Sequence, residues 1–349
     1  MLILGGAGFI GINATRFFLD KGYEVTVMDN LSRNGSEYNI EKLKETHDFT
    51  FIKEDIRNFE GLSKHFSSFI ELDVLLLLAG QVAVTTSVTN PREDFEINAL
   101  GTFNVLEALR INHLKPLVIY TSTNKVYGKM DDVDVVLNGK RYEYNNKPYG
   151  ISEEQQLDFH SPYGCSKGAG DQYVRDYSRI YDIPSVVFRQ SCIYGENQFG
   201  IEDQGWVAWF TIANMLNKQI TVYGDGNQIR DVLYIGDLLQ AYEAAIINKA
   251  KSAGKIYNVG GGPSFTLSLN ELLEELESFF KRPIHPNRDD WRPGDQKVYV
   301  SDIRKIEKEL GWKPQTNVKE GIQRMSQWIL ENRAILEYYT SAIAEIPKK

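Results

Sequence analysis

A short apolar strand, three evenly spaced glycines and a helix open this 349-residue chain, and this feature constrains the fold more than any other. The first four residues are apolar, and Gly5, Gly8 and Gly11 then form a Gly-x-x-Gly-x-x-Gly motif that leads into apolar residues at helical spacing. Glycines at such a turn let the backbone approach a pyrophosphate, and the helix N-terminus offers N–H donors and the positive end of its dipole. The motif therefore indicates a dinucleotide site, although the same glycines can also serve helix–strand packing alone.

A carboxylate at the end of the second predicted strand narrows the choice of dinucleotide. Asp29 stands eighteen positions after Gly11, where it can accept hydrogen bonds from both ribose hydroxyls of NAD and repels the 2′-phosphate of NADP. NAD is therefore the expected cofactor, and Arg33 nearby keeps NADP open as the alternative. The other cofactor-binding candidates lie around the glycine motif or at the ends of the following strands: Phe9, Ile10, Asn30, Ser32, Asp55, Ile56, Leu78, Ala79, Gly80, Gln81, Asn98 and Thr121.

Strand and helix patterns alternate along the first half of the chain. Apolar runs predict strands at 24–28, 49–52, 74–78, 116–120 and 184–189, and helical periodicity predicts helices at 59–69, 94–111 and 163–181. Strands so continuously apolar favour an α/β fold, a doubly wound Rossmann-type parallel sheet covered by helices on both faces. We expect residues 1–190 to form this NAD-binding domain, a segment at about 230–260 to return to it, and residues 191–349 to form mainly a smaller, mixed substrate-binding lobe that ends in a loose tail.

Composition excludes several classes of protein. The 39 basic and 47 acidic residues give a net charge of −8, which offers no general attraction to nucleic acid or to anionic membranes. Cys165 and Cys192 lack metal-type spacing, so neither a disulfide framework nor a metal site is expected, and the reducing cytoplasm is the compartment that fits. The longest apolar run, residues 74–79, is far shorter than the roughly 20 residues that cross a bilayer. No membrane or nucleic-acid partner is therefore expected.

A tyrosine and a lysine four residues apart are the catalytic candidates. Tyr163 and Lys167 share one face of a predicted helix, and Thr123 follows a strand that should end at the same edge of the sheet. To take a proton from a sugar hydroxyl near neutral pH, a tyrosine must ionise well below its usual pKa of about 10, and an adjacent ammonium together with a positive nicotinamide can lower that pKa. Lys167 would also hold the nicotinamide ribose, and Thr123 would hydrogen-bond the reacting oxygen. Such pairs also occur by chance on helices, but their combination with the glycine motif favours catalysis.

Three segments resemble the extended short-chain dehydrogenase/reductases that act on nucleotide sugars. They are residues 5–11, 121–128 (TSTNKVYG) and 161–167 (SPYGCSK), and the resemblance extends over about residues 1–328. It implies the Rossmann-type fold, NAD, a nucleotide-sugar substrate and a homodimer that packs helices 94–111 and 163–181 of each subunit together. The chain departs from the family pattern at Leu4, where a threonine usually precedes the first glycine, and the first strand is expected to be short.

The residues after Thr123 bear on the type of reaction. In this family, 4,6-dehydratases carry an Asp-Glu pair there as acid and base, whereas this chain has Asn124 and Lys125. That leaves epimerases, reductases and decarboxylases. Residues 79–87, 122–128, 157–168 and 203–207 most resemble CDP-paratose 2-epimerases. The resemblance implies that Tyr163 starts a transient oxidation of C2 of a CDP-sugar (CDP-paratose, CDP-tyvelose or CDP-glucose) and that NAD stays tightly bound. A UDP-sugar 4-epimerase and a non-catalytic NAD-binding scaffold remain as alternatives.

Substrate-binding candidates come mainly from the second lobe. Arg230 and Arg292 are candidates for the diphosphate, because a guanidinium can bind phosphate oxygens bidentately. The alternative is that each arginine forms an ordinary ion pair with the neighbouring Asp231 or Asp295. The remaining candidates for contact with the substrate are Thr86, Thr123, Asn124, Tyr163, Gln204, Gly205, Trp206 and Tyr223.

Overall fold

The computed structural model of the protein describes residues 1–292 and 295–344, so most of the expected tail from residue 342 onward lies outside the described residues. The strands are β1 (Leu2–Leu4), β2 (Thr26–Asp29), β3 (Thr50–Lys53), β4 (Val74–Leu77), β5 (Leu117–Thr123), β6 (Val135–Asn138), β7 (Arg141–Tyr144), β8 (Ser185–Gln190), β9 (Cys192–Tyr194), β10 (Thr221–Tyr223), β11 (Ile229–Tyr234), β12 (Lys255–Val259), β13 (Thr266–Ser268), β14 (Asn287–Asp289) and β15 (Val298–Tyr299). The α-helices are α1 (Phe9–Asp20), α2 (Ser36–Lys44), α3 (Phe59–Phe66), α4 (Val84–Thr89), α5 (Pro91–Phe95), α6 (Gly101–Ile111), α7 (Ser161–Ile180), α8 (Trp206–Met215), α9 (Ile235–Ile247), α10 (Lys249–Ser252), α11 (Leu269–Phe280), α12 (Arg304–Leu310), α13 (Val318–Glu331) and α14 (Arg333–Ala344). None of these described helices is both long and apolar enough to cross a membrane.

Seven parallel strands form the central sheet in the order β3-β2-β1-β4-β5-β8-β12. Successive side chains of a strand point to opposite faces, so Ile3 and Leu76 pack with α1 and α9 while Leu2 and Leu75 pack with α3 and α6. Both faces of the sheet are therefore covered, which is why its strands read as continuous apolar runs. The predicted α/β, doubly wound Rossmann-type fold is confirmed.

The fifth strand is longer than its apolar run. The sequence predicts a strand that ends at Tyr120, but β5 continues through three polar residues to Thr123, where it pairs with Gln190 of β8. Backbone pairing does not depend on side-chain polarity, and β8 holds the extension in place on one side, whereas the pairing with β4 ends at Tyr120. This extension carries Thr123 to the carboxyl edge of the sheet, beside the start of α7.

The helix predicted at 94–111 has an irregular centre. It is built from α5, a π-helical turn over Glu96–Leu100 and α6. Such turns occur often at functional sites, because the extra residue redirects one side chain. Here the turn contains Asn98, which lies beside the predicted cofactor site.

The second lobe is built around β11, which pairs with β13 in antiparallel fashion and with β9 and β15 in parallel. Strands β10 and β14 form a separate parallel pair, and α8, α11 and α13 pack around these strands. The polar excursion before α7 contains the hairpin β6–β7, whose Tyr144 hydroxyl donates to the backbone carbonyl of Val298 (3.1 Å). The hairpin thus belongs spatially to the second lobe, although it precedes α7 in the chain.

Candidate active site

The three glycines of the opening motif face different surroundings. Gly5 has a φ of +80°, and a Cβ atom there would lie 2.5 Å from the backbone nitrogen of Ala79. A Cβ at Gly11 would collide with the carbonyl oxygen of Gly5. At Gly8 the nearest atom would be 3.5 Å away, so this position has room on the open side of the loop. Gly5 and Gly11 are thus required for packing. Gly8 is not, and its missing side chain leaves space for a pyrophosphate to approach the backbone.

Asp29 supports the glycine loop as well as facing the cleft. Its carboxylate accepts hydrogen bonds from the backbone N–H groups of Ala7 (3.0 Å) and Leu31 (2.8 Å). Burial raises its pKa, and these backbone hydrogen bonds partly offset that effect. Arg33 extends across the cleft and donates a hydrogen bond to the side-chain oxygen of Gln204, in the second lobe. Burial lowers the pKa of Arg33.

One cleft at the carboxyl edge of β1, β2 and β4 gathers most of the predicted cofactor residues. Its lining includes Gly5, Gly8, Phe9, Ile10, Gly11, Asp29, Asn30, Ser32, Arg33, Asp55, Ile56, Leu78, Ala79, Gly80 and Gln81. Thr86 and Gln204, which we predicted as substrate contacts, line the same cleft. Five further residues line the cleft without having been predicted from the sequence: Met28, Glu54, Val82, Glu93 and Ile97. Met28 and Glu54 lie at or just after the ends of predicted strands, and this position is the sequence signal that points to them.

Asn98 lies behind the cleft rather than in its lining. Its side-chain oxygen accepts from the backbone N–H of Gln81 (3.0 Å), and its amide donates to the Gln81 carbonyl (3.0 Å). The same amide contacts Asp94 (3.1 Å) and Ser166 (3.3 Å). Asn98 therefore fastens the loop after β4 to α7. Thr121 likewise uses its hydroxyl within the protein, donating to the Leu77 carbonyl (3.0 Å).

The structure brings Tyr163, Thr123 and Lys167 together in a buried position. The Thr123 hydroxyl hydrogen-bonds to the Tyr163 phenol and acts to lower its pKa, but burial outweighs this and raises that pKa to about 12. The Lys167 ammonium lies 4.5 Å from the ring centroid of Tyr120, and burial lowers the pKa of Lys167 to about 8. The protein's own residues thus raise the pKa of Tyr163, and the lowering that we expect would need the positive nicotinamide in addition to the ammonium. The reason is that desolvation of the phenolate exceeds the stabilisation that these neighbours provide.

The two predicted diphosphate arginines do not pair with the acids that follow them closely in sequence. Arg230 donates to the carbonyls of Ile229 (2.8 Å) and Gln296 (2.7 Å), whereas buried Asp231 accepts from Ser191 on another side. Arg292 lies over the ring of Tyr223, 3.7 Å from its centroid, and 3.5 Å from Asp203. Arg230 therefore forms no ion pair with Asp231, whereas Arg292 forms an ion pair, but with Asp203 rather than with Asp295.

The segment with Gln204, Gly205 and Trp206 connects the two lobes. Gly205 has a φ of +72° and caps α8, so the glycine is required by the turn. Trp206 begins that helix, with its ring edge to face with Phe210. The Tyr223 hydroxyl donates to Glu202 (3.2 Å), and Asn124 lies buried beside Thr123. Trp206 and Tyr223 are only partly buried, so each retains exposed surface in addition to its packing contacts.

A family model described as GDP-mannose 4,6 dehydratase matches residues 2–325. The chain belongs to this family. Its members include epimerases and dehydratases of nucleotide sugars, in agreement with the resemblance seen in the sequence motifs.

Individual relatives of this family fall into more than one reaction class. The chain is 44% identical to the CDP-paratose 2-epimerase of Salmonella typhi over 333 residues, which cover 94% of this chain and 98% of the relative. It is 33% identical to a putative UDP-glucose 4-epimerase of Methanocaldococcus jannaschii, with 95% and 99% of the two chains covered.

Solved structures in the family superpose over nearly the whole chain. The UDP-glucose 4-epimerase of Thermotoga maritima, solved with UDP-glucose, has a TM-score of 0.82 at 27% identity and covers 95% of this chain and 99% of its own. The dTDP-glucose 4,6-dehydratase DesIV of Streptomyces venezuelae, solved with NAD, also has a TM-score of 0.82 at 27% identity, with 97% and 99% covered.

Lys125 stands where the dehydratases of the family carry an acidic residue, and its contacts could not be predicted from the sequence. Its side chain is largely buried, and its ammonium donates to the side-chain oxygen of Gln296 (3.3 Å) in the second lobe. Among residues 1–292 and 295–344, no group of three or more His, Cys, Asp or Glu side chains is arranged to hold a metal ion.

Proposed function

We propose that this protein inverts C2 of a CDP-activated hexose, such as CDP-paratose or CDP-tyvelose, through a transient 2-keto sugar. The observation that carries the proposal is the buried group of Tyr163, Thr123 and Lys167 next to the glycine-lined cleft, followed by Asn124 and Lys125. A carboxamide and an ammonium cannot serve as the acid–base pair that eliminates water from the sugar. The 44% identity to a CDP-paratose 2-epimerase supports the choice of sugar, base and carbon.

NAD is the cofactor that the cleft fits. Gly8 leaves room for a pyrophosphate at the N-terminus of α1, and Asp29 holds a carboxylate at the end of β2, where the adenosine ribose would lie. When bound, NAD would supply a reversible hydride acceptor for the hydroxyl-bearing carbon and, in its oxidised form, a positive charge.

Tyr163 is the base that takes the proton from the C2 hydroxyl. A pKa of about 12 in the protein means that reaching neutral pH requires roughly 7 kcal/mol of stabilisation of the phenolate. That pKa already includes the Thr123 hydrogen bond, so the stabilisation would come mainly from the positive nicotinamide of bound NAD, with Lys167, one helical turn after Tyr163, as a further cation. With a pKa of about 8, Lys167 is still mostly protonated at pH 7, so this charge is available.

The second lobe holds the nucleotide diphosphate while the sugar turns over. Hydride must leave one face of C2 and return to the other, so the keto sugar has to rotate while the rest of the molecule stays bound. Arg230 and Arg292 are placed to bind phosphate oxygens, and Tyr223 and Trp206 provide aromatic surface for the base or sugar. The Arg33–Gln204 contact joins the lobes across the cofactor cleft and thereby helps to retain NAD between the two hydride transfers.

The proposal is tested by separate incubations with CDP-paratose, CDP-tyvelose, CDP-glucose and UDP-glucose, followed by NMR analysis of C2 and C4 in each product. We expect C2 inversion of a CDP-sugar and no C4 inversion of UDP-glucose. Tyr163→Phe should abolish turnover and leave NAD binding within about twofold, because the phenol hydroxyl takes part in the proton transfer. C4 inversion of UDP-glucose without reaction of any CDP-sugar would contradict the proposal, as would full activity of Tyr163→Phe.

A further inference from the structure

Lys125 connects the catalytic threonine to the second lobe. It belongs to the 3₁₀ turn Asn124–Tyr127 that directly follows β5, and its backbone N–H donates to the Thr123 hydroxyl oxygen (3.2 Å). Its side chain extends in the other direction and reaches Gln296 (3.3 Å), 171 positions further along the chain. Lys125 therefore places an ammonium between the two lobes, on the second residue after Thr123, the residue proposed to contact the reacting oxygen.

This ammonium has no carboxylate partner within 4 Å among the described residues. The charged groups that act on it are Arg230 and, with a smaller effect, Asp295, and Arg230 donates to the backbone carbonyl of the same Gln296 (2.7 Å). Burial, and secondarily the Arg230 charge, lower the pKa of Lys125 to about 8, so the two residues are both cationic at neutral pH. Asp295 offsets only part of the repulsion between these two cations, and an anion bound between them would offset more of it.

The position of this cationic pair relative to Thr123 bears on which sugar carbon reacts. In a nucleotide sugar the diphosphate is attached to C1, so C2 is its neighbour and C4 lies on the far side of the ring. An enzyme that oxidises C2 must therefore bind the phosphate close to its catalytic threonine and tyrosine. An enzyme that oxidises C4 must hold the phosphate a ring's width away.

We propose that Lys125 and Arg230 together bind the phosphate on C1 of the sugar and so place C2, rather than C4, at Thr123 and Tyr163. This inference rests on the proposed function and adds to it a phosphate-binding residue that also determines the reacting carbon. A phosphate held by two cations also gives the keto sugar a fixed point about which it can rotate between the two hydride transfers.

Lys125→Met tests the contact, with Lys129→Met as the matched control because Lys129 is exposed in the same loop. Binding of CDP, CMP, UDP and UMP to the NAD-saturated proteins is measured by calorimetry. We expect Lys125→Met to weaken CDP binding by about 10- to 100-fold, the loss typical of a charge-assisted hydrogen bond, and to change CMP binding by less than about threefold. Lys125→Arg should recover part of the CDP affinity, and Lys129→Met should change neither ligand.

The outcomes separate this inference from the proposed function. C2 inversion by the unaltered protein, combined with equal losses of CDP and CMP binding in Lys125→Met, would overturn the role of Lys125 and leave the proposed function standing. The role of Lys125 would also fail if that variant bound all four nucleotides normally. C4 inversion of UDP-glucose, combined with a selective loss of UDP rather than UMP binding, would overturn the proposed function and the placement of C2 while supporting the phosphate contact.

Discussion

Arg189 donates two hydrogen bonds to the carboxylate of Asp171, from Nε (2.9 Å) and from a terminal nitrogen (3.1 Å), and both side chains are almost completely buried. Asp171 lies one helical turn after Lys167 and two after Tyr163 on α7, and it also accepts from the Ser122 hydroxyl of β5 (2.9 Å). The ion pair thus fixes the catalytic face of α7 against β5 and β8. The position of the Tyr163 phenol relative to Thr123 depends on this connection.

Removing both members of this pair is expected to cost less stability than the sum of the two single removals. Asp171→Asn leaves the Arg189 charge buried without a counter-charge, and we expect the free energy of unfolding to fall by about 3–5 kcal/mol. In the double variant Asp171→Asn, Arg189→Met, the loss should be clearly smaller than the sum of the two single losses. Urea denaturation of the four proteins measures these values. Additive losses would mean that the pair does not act as a unit.

Replacing Thr123 should shift the pH dependence of catalysis. The hydrogen bond from Thr123 acts to lower the pKa of Tyr163, so Thr123→Val raises that pKa further. The reacting form is the phenolate, and its fraction rises with pH; the midpoint of the rise in kcat/KM therefore moves to higher pH in Thr123→Val. Thr123→Ser keeps the hydroxyl and should retain the original profile. A midpoint that is unchanged, or that moves to lower pH in Thr123→Val, would exclude this role of the hydroxyl.

Two glycine substitutions should separate cofactor binding from folding. Gly8→Ala adds a Cβ that meets no atom closer than 3.5 Å, so the protein should fold normally and bind NAD about tenfold more weakly, or worse. Gly11→Ala places a Cβ against the Gly5 carbonyl oxygen, an overpacking cost of about 1–3 kcal/mol that opposes the gain of about 1 kcal/mol from helix propensity. Thermal unfolding and NAD titration of both variants provide the test. Normal NAD affinity of Gly8→Ala would argue against a pyrophosphate at this loop.

The stability of Lys125→Met should reveal the cost of its buried charge. The pKa of Lys125 is about 8 in the folded protein and 10.5 ordinarily, so the unfolded chain binds more protons between these values, and the contribution of Lys125 makes stability rise with pH across that window. The full penalty applies below pH 8, where Lys125→Met should be more stable by on the order of 3 kcal/mol. The difference should vanish above about pH 10.5, where lysine is neutral in both states. Denaturant unfolding at several pH values checks this, and a Lys125→Met protein less stable at pH 7 would contradict it.

We expect a homodimer in which α5, α6 and α7 of the two subunits pack together, and exposed apolar side chains on these helices support this expectation. Large apolar side chains are exposed on these helices, among them Phe95 (56%), Leu100 (39%) and Tyr173 (45%). Phe95→Glu would place a charge in that surface and should shift sedimentation from dimer to monomer. Ile70→Glu is the control, because Ile70 is equally apolar and 97% exposed but lies after α3 and not on α5, α6 or α7. A monomeric parent protein, or a dimer unaffected by Phe95→Glu, would count against this interface.

The spacing of residues within short segments determined the fold class and most of the cofactor cleft of this protein. The glycine motif, the carboxylate of Asp29 at a strand end and the four-residue separation of Tyr163 and Lys167 are properties of a few consecutive residues in a helix or strand. Alternating apolar runs then place their ends at one edge of a parallel sheet. For this reason the fold class and most of the cofactor cleft could be predicted without coordinates.

Contacts between distant segments were decided by the tertiary structure alone. The sequence does not show that Arg230 shares Gln296 with Lys125, that Asn98 fastens the loop after β4 to α7, or that Arg33 reaches Gln204. Nor does it show that burial by the surrounding elements raises the pKa of Tyr163 in the protein alone, before the positive nicotinamide is added. Packing brings these residues together from separate elements, and the desolvation of a buried group depends on all the side chains that surround it. Neither these contacts nor the extent of desolvation can be deduced from the spacing of neighbouring residues in the sequence.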